Sequence, residues 1–198
     1  GATPYTLAGN MPTRLNSNIT VNDAKGATIS AVIGGTMGVT KLGAQTLTLS
    51  GLNTATATLA INAGQVNMNG DMASTAFPLL SVASATTFSM NVASPGWLGG
   101  AHTVSGNGNV TVGATAAINN LNVTTGPLSS LIIGAGTTST INSTFFPLQS
   151  FGGTLHILGT LLSGDTVIAC RDIIGNGALN HTSGTVTYNV NGTGSAIF

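Results

Sequence analysis

Polar and apolar residues alternate one by one along much of this chain. Thr46-Leu47-Thr48-Leu49-Ser50 does so, as do Leu59-Ala60-Ile61-Asn62, Gln65-Val66-Asn67-Met68-Asn69, Asn109-Val110-Thr111-Val112 and Thr185-Val186-Thr187-Tyr188-Asn189-Val190. A period of two matches the opposite faces of a strand and does not fit the 3.6-residue period of a helix. Thr beside Val, Ile and Leu suits a half-buried pleated surface. Asn69-Gly70, Asn107-Gly108, Asn176-Gly177 and Asn191-Gly192 break the runs with turn chemistry. Many short strands so punctuated predict an all-β chain.

Charge narrows the choice further. Of 198 residues only Arg14, Lys25, Lys41 and Arg171 are basic, and only Asp23, Asp71, Asp165 and Asp172 are acidic. Charged residues are 4% of the chain, against about 25% in an ordinary soluble domain. A surface helix needs a solvated charged face, and no segment supplies one. Four dispersed cations cannot neutralise a phosphate backbone, so nucleic acid is excluded as a partner. No apolar run approaches the roughly 20 residues of a membrane-spanning helix. A 42% hydrophobic content and a mean hydropathy of +0.40 exclude disorder. A net charge of zero removes the repulsion that keeps molecules apart and favours association.

The chain also repeats. Ser74-Thr75-Ala76-Phe77-Pro78-Leu79-Leu80-Ser81 matches Ser143-Thr144-Phe145-Phe146-Pro147-Leu148-Gln149-Ser150 at an offset of 69 residues, and Gly106-Asn107-Gly108 recurs as Gly175-Asn176-Gly177. Leu59-Ala60-Ile61 parallels Leu131-Ile132-Ile133, and Gly43-Ala44 parallels Gly113-Ala114. This divides the chain into an N-terminal strand-rich segment or cap (1–42), two tandem repeats (43–112 and 113–180) and C-terminal strands (181–198). The favoured architecture is a right-handed parallel β-helix, each repeat winding about three rungs of ~23 residues. The alternative is an antiparallel β-sandwich or jelly-roll unit. In the β-helix Phe-Pro would mark a corner or an edge, because proline cannot donate to a ladder.

Residues 37–70 carry a further signal. Met37-Gly38-Val39-Thr40-Lys41-Leu42-Gly43-Ala44-Gln45-Thr46-Leu47-Thr48-Leu49-Ser50-Gly51-Leu52-Asn53-Thr54, then Ile61-Asn62-Ala63-Gly64-Gln65-Val66, resembles the autotransporter-associated β-strand repeat. That resemblance implies a parallel β-helix passenger displayed on a bacterial surface. Gln45 stands where that pattern has Gly, and Ala55-Thr56-Ala57 replaces its Tyr-Thr-Gly-Gly. No functional residue is carried over from it.

Reactive residues are sparse. Asp165-Thr166-Val167-Ile168-Ala169-Cys170-Arg171-Asp172 is the densest group. Cys170, the only cysteine, forms no internal disulfide and follows Ile168 on the same strand face, toward the core. His102, His156 and His181 lack ligand spacing. The expectation is therefore no catalytic residue, no metal site and no cofactor. The acceptor tripeptides at Asn18, Asn109, Asn122, Asn142, Asn180 and Asn191 are candidate glycosylation sites. Trp97, in a Gly- and Pro-flanked loop, is the candidate contact for a glycan or host surface; an aromatic there also suits plugging a core.

The function expected is that of an exported structural protein, its signal peptide removed, at the cell surface or on a virion. Its partner would be itself, through strand edges left open at the solenoid ends. Leu15, Ile19, Val21, Ile29, Val32, Val190, Ile197 and Phe198 are the candidate assembly contacts. The alternative is an adhesin or receptor-binding spike.

Overall fold

A computed structural model describes residues 5–9, 13–15, 19–22, 24–93, 102–117, 121–125, 130–141, 151–163, 166–181 and 186–190. The chain winds in turns of up to three strands. The first turn holds β1 (Tyr5–Leu7), β2 (Thr13–Leu15) and β3 (Ile19–Val21), and the second β4 (Ala27–Ile29), β5 (Ile33–Gly35) and β6 (Val39–Lys41). Then come β7 (Thr46–Leu49) and β8 (Leu59–Ile61), β9 (Gln65–Met68) and β10 (Leu79–Val82), β11 (Thr87–Met90) and β12 (His102–Gly106). The later turns comprise β13 (Asn109–Val112), β14 (Ala116–Ala117), β15 (Leu121–Thr125), β16 (Ser130–Ile133), β17 (Thr138–Ile141), β18 (Phe151–Ile157), β19 (Thr160–Ser163), β20 (Thr166–Ile174), β21 (Ala178–His181) and β22 (Val186–Val190).

Each strand pairs in parallel with its counterpart one turn away. The long sheet has ten strands, ordered β1-β4-β7-β9-β11-β13-β16-β18-β20-β22. A second side is β2-β5, carried on by single bridges from Ile33 to Asn53 to Met72, and then by β14-β17-β19-β21. The third is β15-β12-β10-β8-β6-β3. Hydrogen bonds between successive turns join residues 18 to 26 apart, from Asn53 N–H on the Asp71 carbonyl to Gly108 N–H on the Val82 carbonyl. This is a parallel β-helix, and the antiparallel sandwich does not form; among the described residues there is no helix.

The alternation seen in the sequence becomes two columns inside and two outside. On the long sheet Leu47, Val66, Phe88, Val110, Leu131, Leu155 and Ile173 stack in register, beside Leu49, Met68, Met90, Val112, Ile133 and Ile157. All are buried. Burying each such side chain contributes about 1.5–3 kcal/mol relative to leaving it in water, so the columns are the main source of stability. Their neighbours one residue along face outward: Thr28, Thr48, Asn67, Ser89 and Thr111 in one column, Thr46, Gln65, Thr87, Asn109 and Ser130 in the other.

Phe77-Pro78 marks a corner, as the missing proline donor requires. Phe77 is buried with φ +43°, and its N–H donates to Ala55 at 2.7 Å. The matching Phe146-Pro147 lies outside the described residues. The other repeated blocks occupy successive corners of the helix. Gly106-Asn107-Gly108 joins β12 on the third side to β13 on the long sheet, whereas Gly175-Asn176-Gly177 joins β20 on the long sheet to β21 on the second side. The physical unit of repetition is the single turn, and the 69-residue offset covers about three of them plus one strand.

Candidate functional site

The fold separates the residues that could have made a reactive centre. His102 begins β12 on the third side, is 1% exposed, and has the backbone carbonyls of Phe77 and Ser74 against its ring. Burial lowers its pKa from the ordinary 6.5, and the two carbonyls partly oppose that by favouring the charged ring. His156 lies on the long sheet, half-buried in an outer column between Ile132 and Ile174. His181 ends β21, and Cys170 and Arg171 lie in β20, but their side chains fall outside the described residues, as does Asp165. Asp172 is half-buried in register with Thr154. Among the described residues no three His, Cys, Asp or Glu side chains gather where a metal could sit.

Two other features concentrate polar chemistry inside. Lys41 alternates with Val39 on β6, so it points inward; it is 1% exposed and its Nζ donates to the Gly43 carbonyl at the next corner. Asn53, fully buried between its bridges to Ile33 of β5 and to Met72, donates from Nδ2 to the Gly51 carbonyl at 2.8 Å and lies 3.2 Å from Met68 Sδ. Sequence reasoning did not single out these residues or His102 as buried polar groups. The signal for Lys41 was present, since alternation from Val39 places it inward. Asn53 lies outside any alternating run.

The outer columns of the long sheet form a neutral wall of hydroxyls and amides. Gln65 Nε2 donates to Asn67 Oδ1 at 2.6 Å and to Ser89 Oγ at 3.3 Å, and Asn91 Nδ2 donates to Asn69 Oδ1 at 2.8 Å. These links hold the wall's side chains against one another, which is why Ser89, an outward residue, is only 8% exposed.

The N-terminal end is different in kind. Tyr5 pairs with Ala27 and Leu7 with Ile29, which places both in register with the inner columns that begin at Leu47 and Leu49. Yet Tyr5 is 70% and Leu7 49% exposed, and β1 is the edge of the long sheet. The opposite edge of the same sheet is β22. Among the described residues both inner columns therefore end on β1 with exposed side chains.

The predicted contacts distribute unevenly over this end. Ile19 and Val21 on β3 are partly buried against the core, and Val32 is half-buried. Ile29 is 6% exposed in the inner column beneath Leu7, because it falls on the inward phase of β4. Leu15, Asn122 and Val190 lie in strands whose side chains are outside the described residues, while Trp97, Ile197, Phe198, Asn18, Asn142 and Asn191 lie outside them altogether. Asn109 is half-buried in an outer column between Thr87 and Ser130, and Asn180 is exposed on β21. Compared with family models, curated proteins and solved structures, the chain has no match, so its geometry alone carries the functional argument.

Proposed function

We propose that this chain is a structural, non-enzymatic β-solenoid that associates end to end with copies of itself, building a fibre or coat outside the cell. The single observation that carries the reading is β1, the edge strand of the long sheet among the described residues, where Tyr5 and Leu7 continue the inner columns and are exposed. An edge strand with apolar side chains in core register is a template for another parallel strand. The strand it suits is β22 of a second copy, which lies at the other edge of the same sheet. Stacking of that kind is heterologous and does not close, so it yields filaments. The zero net charge removes long-range repulsion between copies. The resemblance of residues 37–70 to autotransporter strand repeats points the same way, toward surface display.

The test is negative-stain microscopy and light scattering across a concentration series. Rods that lengthen with concentration are the expected result, and Tyr5→Lys with Leu7→Lys should abolish them while far-UV circular dichroism stays β-rich. A chain that remains monomeric throughout the series overturns the proposal. The outer wall favours a second reading, an adhesin whose hydroxyl and amide columns hydrogen-bond a neutral glycan. Binding on a glycan array that is lost in a Thr48→Lys, Thr111→Lys variant would select it.

A further inference from the structure

Among the described residues three Asn-Gly pairs sit at corners of the solenoid, and the structure treats them unequally; a fourth, Asn191-Gly192, lies outside the described residues. In Asn69-Gly70, Asn107-Gly108 and Asn176-Gly177 the asparagine is exposed. In each the glycine N–H donates to a carbonyl of the preceding turn at 2.9 Å: Gly70 to Leu49, Gly108 to Val82, Gly177 to Ile157. Gly70 and Gly108 are buried, and Asn69 is further held through its Oδ1 by Asn91 Nδ2. Gly177 is exposed, and so are Gly175, Asn176 and Ala178 around it. Of the three latches, that one alone has an exposed donor residue, although its acceptor Ile157 is buried like Leu49 and Val82.

Asn-Gly is the dipeptide most prone to intramolecular attack, because glycine offers no side chain to hinder its own nitrogen. We infer that Asn176 is a spontaneous deamidation site of the folded protein, while Asn69 and Asn107 are kept intact by the ladder. The Gly177 nitrogen attacks Asn176 Cγ. A new C–N bond forms, the Cγ–Nδ2 bond breaks, and the amide leaves as ammonia carrying the glycine N–H proton. Water then opens the succinimide to aspartate or isoaspartate. The reaction changes no oxidation state and needs no reagent but water. It cannot begin while the glycine N–H is donated to the previous turn, so each corner reacts only during the fraction of time its latch is open. At the exposed glycine water can take up the freed N–H, whereas at the buried glycines the freed N–H is left unpaired.

The product matters to the fold. Each event turns a chain of zero net charge into an anion. Isoaspartate also lengthens the backbone by one atom at a corner without slack: a Cβ at Gly177 would lie 2.1 Å from the Gly159 oxygen.

The experiment is peptide mapping by mass spectrometry of the intact chain, aged at mildly alkaline pH in its native state and in denaturant. Hydroxylamine cleavage reports the succinimide. In denaturant all three sites should react at similar rates. In the native state Asn69 and Asn107 should slow by about tenfold or more, and Asn176 should react first. Asn176→Gln should remove the signal from its peptide and leave circular dichroism unchanged. Native rates at Asn69 and Asn107 equal to the denatured ones would overturn the latch. A native Asn176 no faster than the other two would overturn its assignment.

Discussion

Gly106 and Gly136 both have positive φ, at +104° and +73°, but substitution should affect them differently. A Cβ at Gly106 would lie 2.2 Å from the Val82 oxygen, while at Gly136 nothing lies within 4 Å. Gly136→Ala should cost about 1–2 kcal/mol, the price of a left-handed backbone. Gly106→Ala adds a clash with rigid backbone and should cost about 3 kcal/mol or more. Urea denaturation of the two variants checks the ordering. His102 sets a pH dependence at the same scale. Its pKa is lowered in the fold, so below about pH 6.5 the unfolded chain takes up a proton that the native chain refuses. Stability is therefore complete above that pH and falls as the pH drops through the native pKa, by up to about 1.4 kcal/mol per unit. A His102→Gln variant should flatten the curve of denaturation midpoint against pH. An unchanged slope would assign the effect elsewhere.

Within the long sheet, energy is carried by the inner columns and solubility by the outer ones. Phe88 contacts Val66 and Val110 above and below in register and is 1% exposed. Phe88→Ala should cost about 3–5 kcal/mol through lost burial and a cavity that stacked turns cannot collapse. Thr48→Ala, on the outside of β7, should stay within about 0.5 kcal/mol. Chemical denaturation distinguishes these values directly. The inner columns were legible beforehand because Leu47 and Leu49, or Val110 and Val112, sit on one phase of a period-two pattern. Ser89 was not. Its phase is outward, and only the placement of Gln65 one turn earlier explains its burial. Asn53 was equally illegible, since it lies outside the alternating runs and its burial comes from bridges to Ile33 and Met72 on the turns either side, with only Gly51 a local partner.

At the scale of the whole molecule, electrostatics has little to act on. With 4% charged residues and zero net charge, screening by salt should barely move the equilibrium between single chains and rods. Sulfate, by strengthening apolar burial, should drive it toward rods. Light scattering at matched protein concentration tests both expectations. A strong rise in assembly on adding sodium chloride would mean that charge repulsion, rather than burial of Tyr5 and Leu7, governs association.

The amino-acid sequence by itself determined the strand character, the phase of each strand and the corner or edge at Phe77-Pro78, because these follow from neighbours within a few residues. Alternating neutral runs must bury one face, which left both a stacked solenoid and an antiparallel sandwich open, and the stacking of turns was decided by the tertiary structure. Which turn lies on which was decided only in three dimensions. The 69-residue similarity is offset by one corner from the stacking of strands, and the partners of His102, Lys41 and Asn53 come from corners and turns that no local pattern specifies. The edge at β1 belongs to the same class: Tyr5 and Leu7 acquire meaning only once they are seen to continue the columns that run through Ala27 and Ile29 to Leu47 and Leu49.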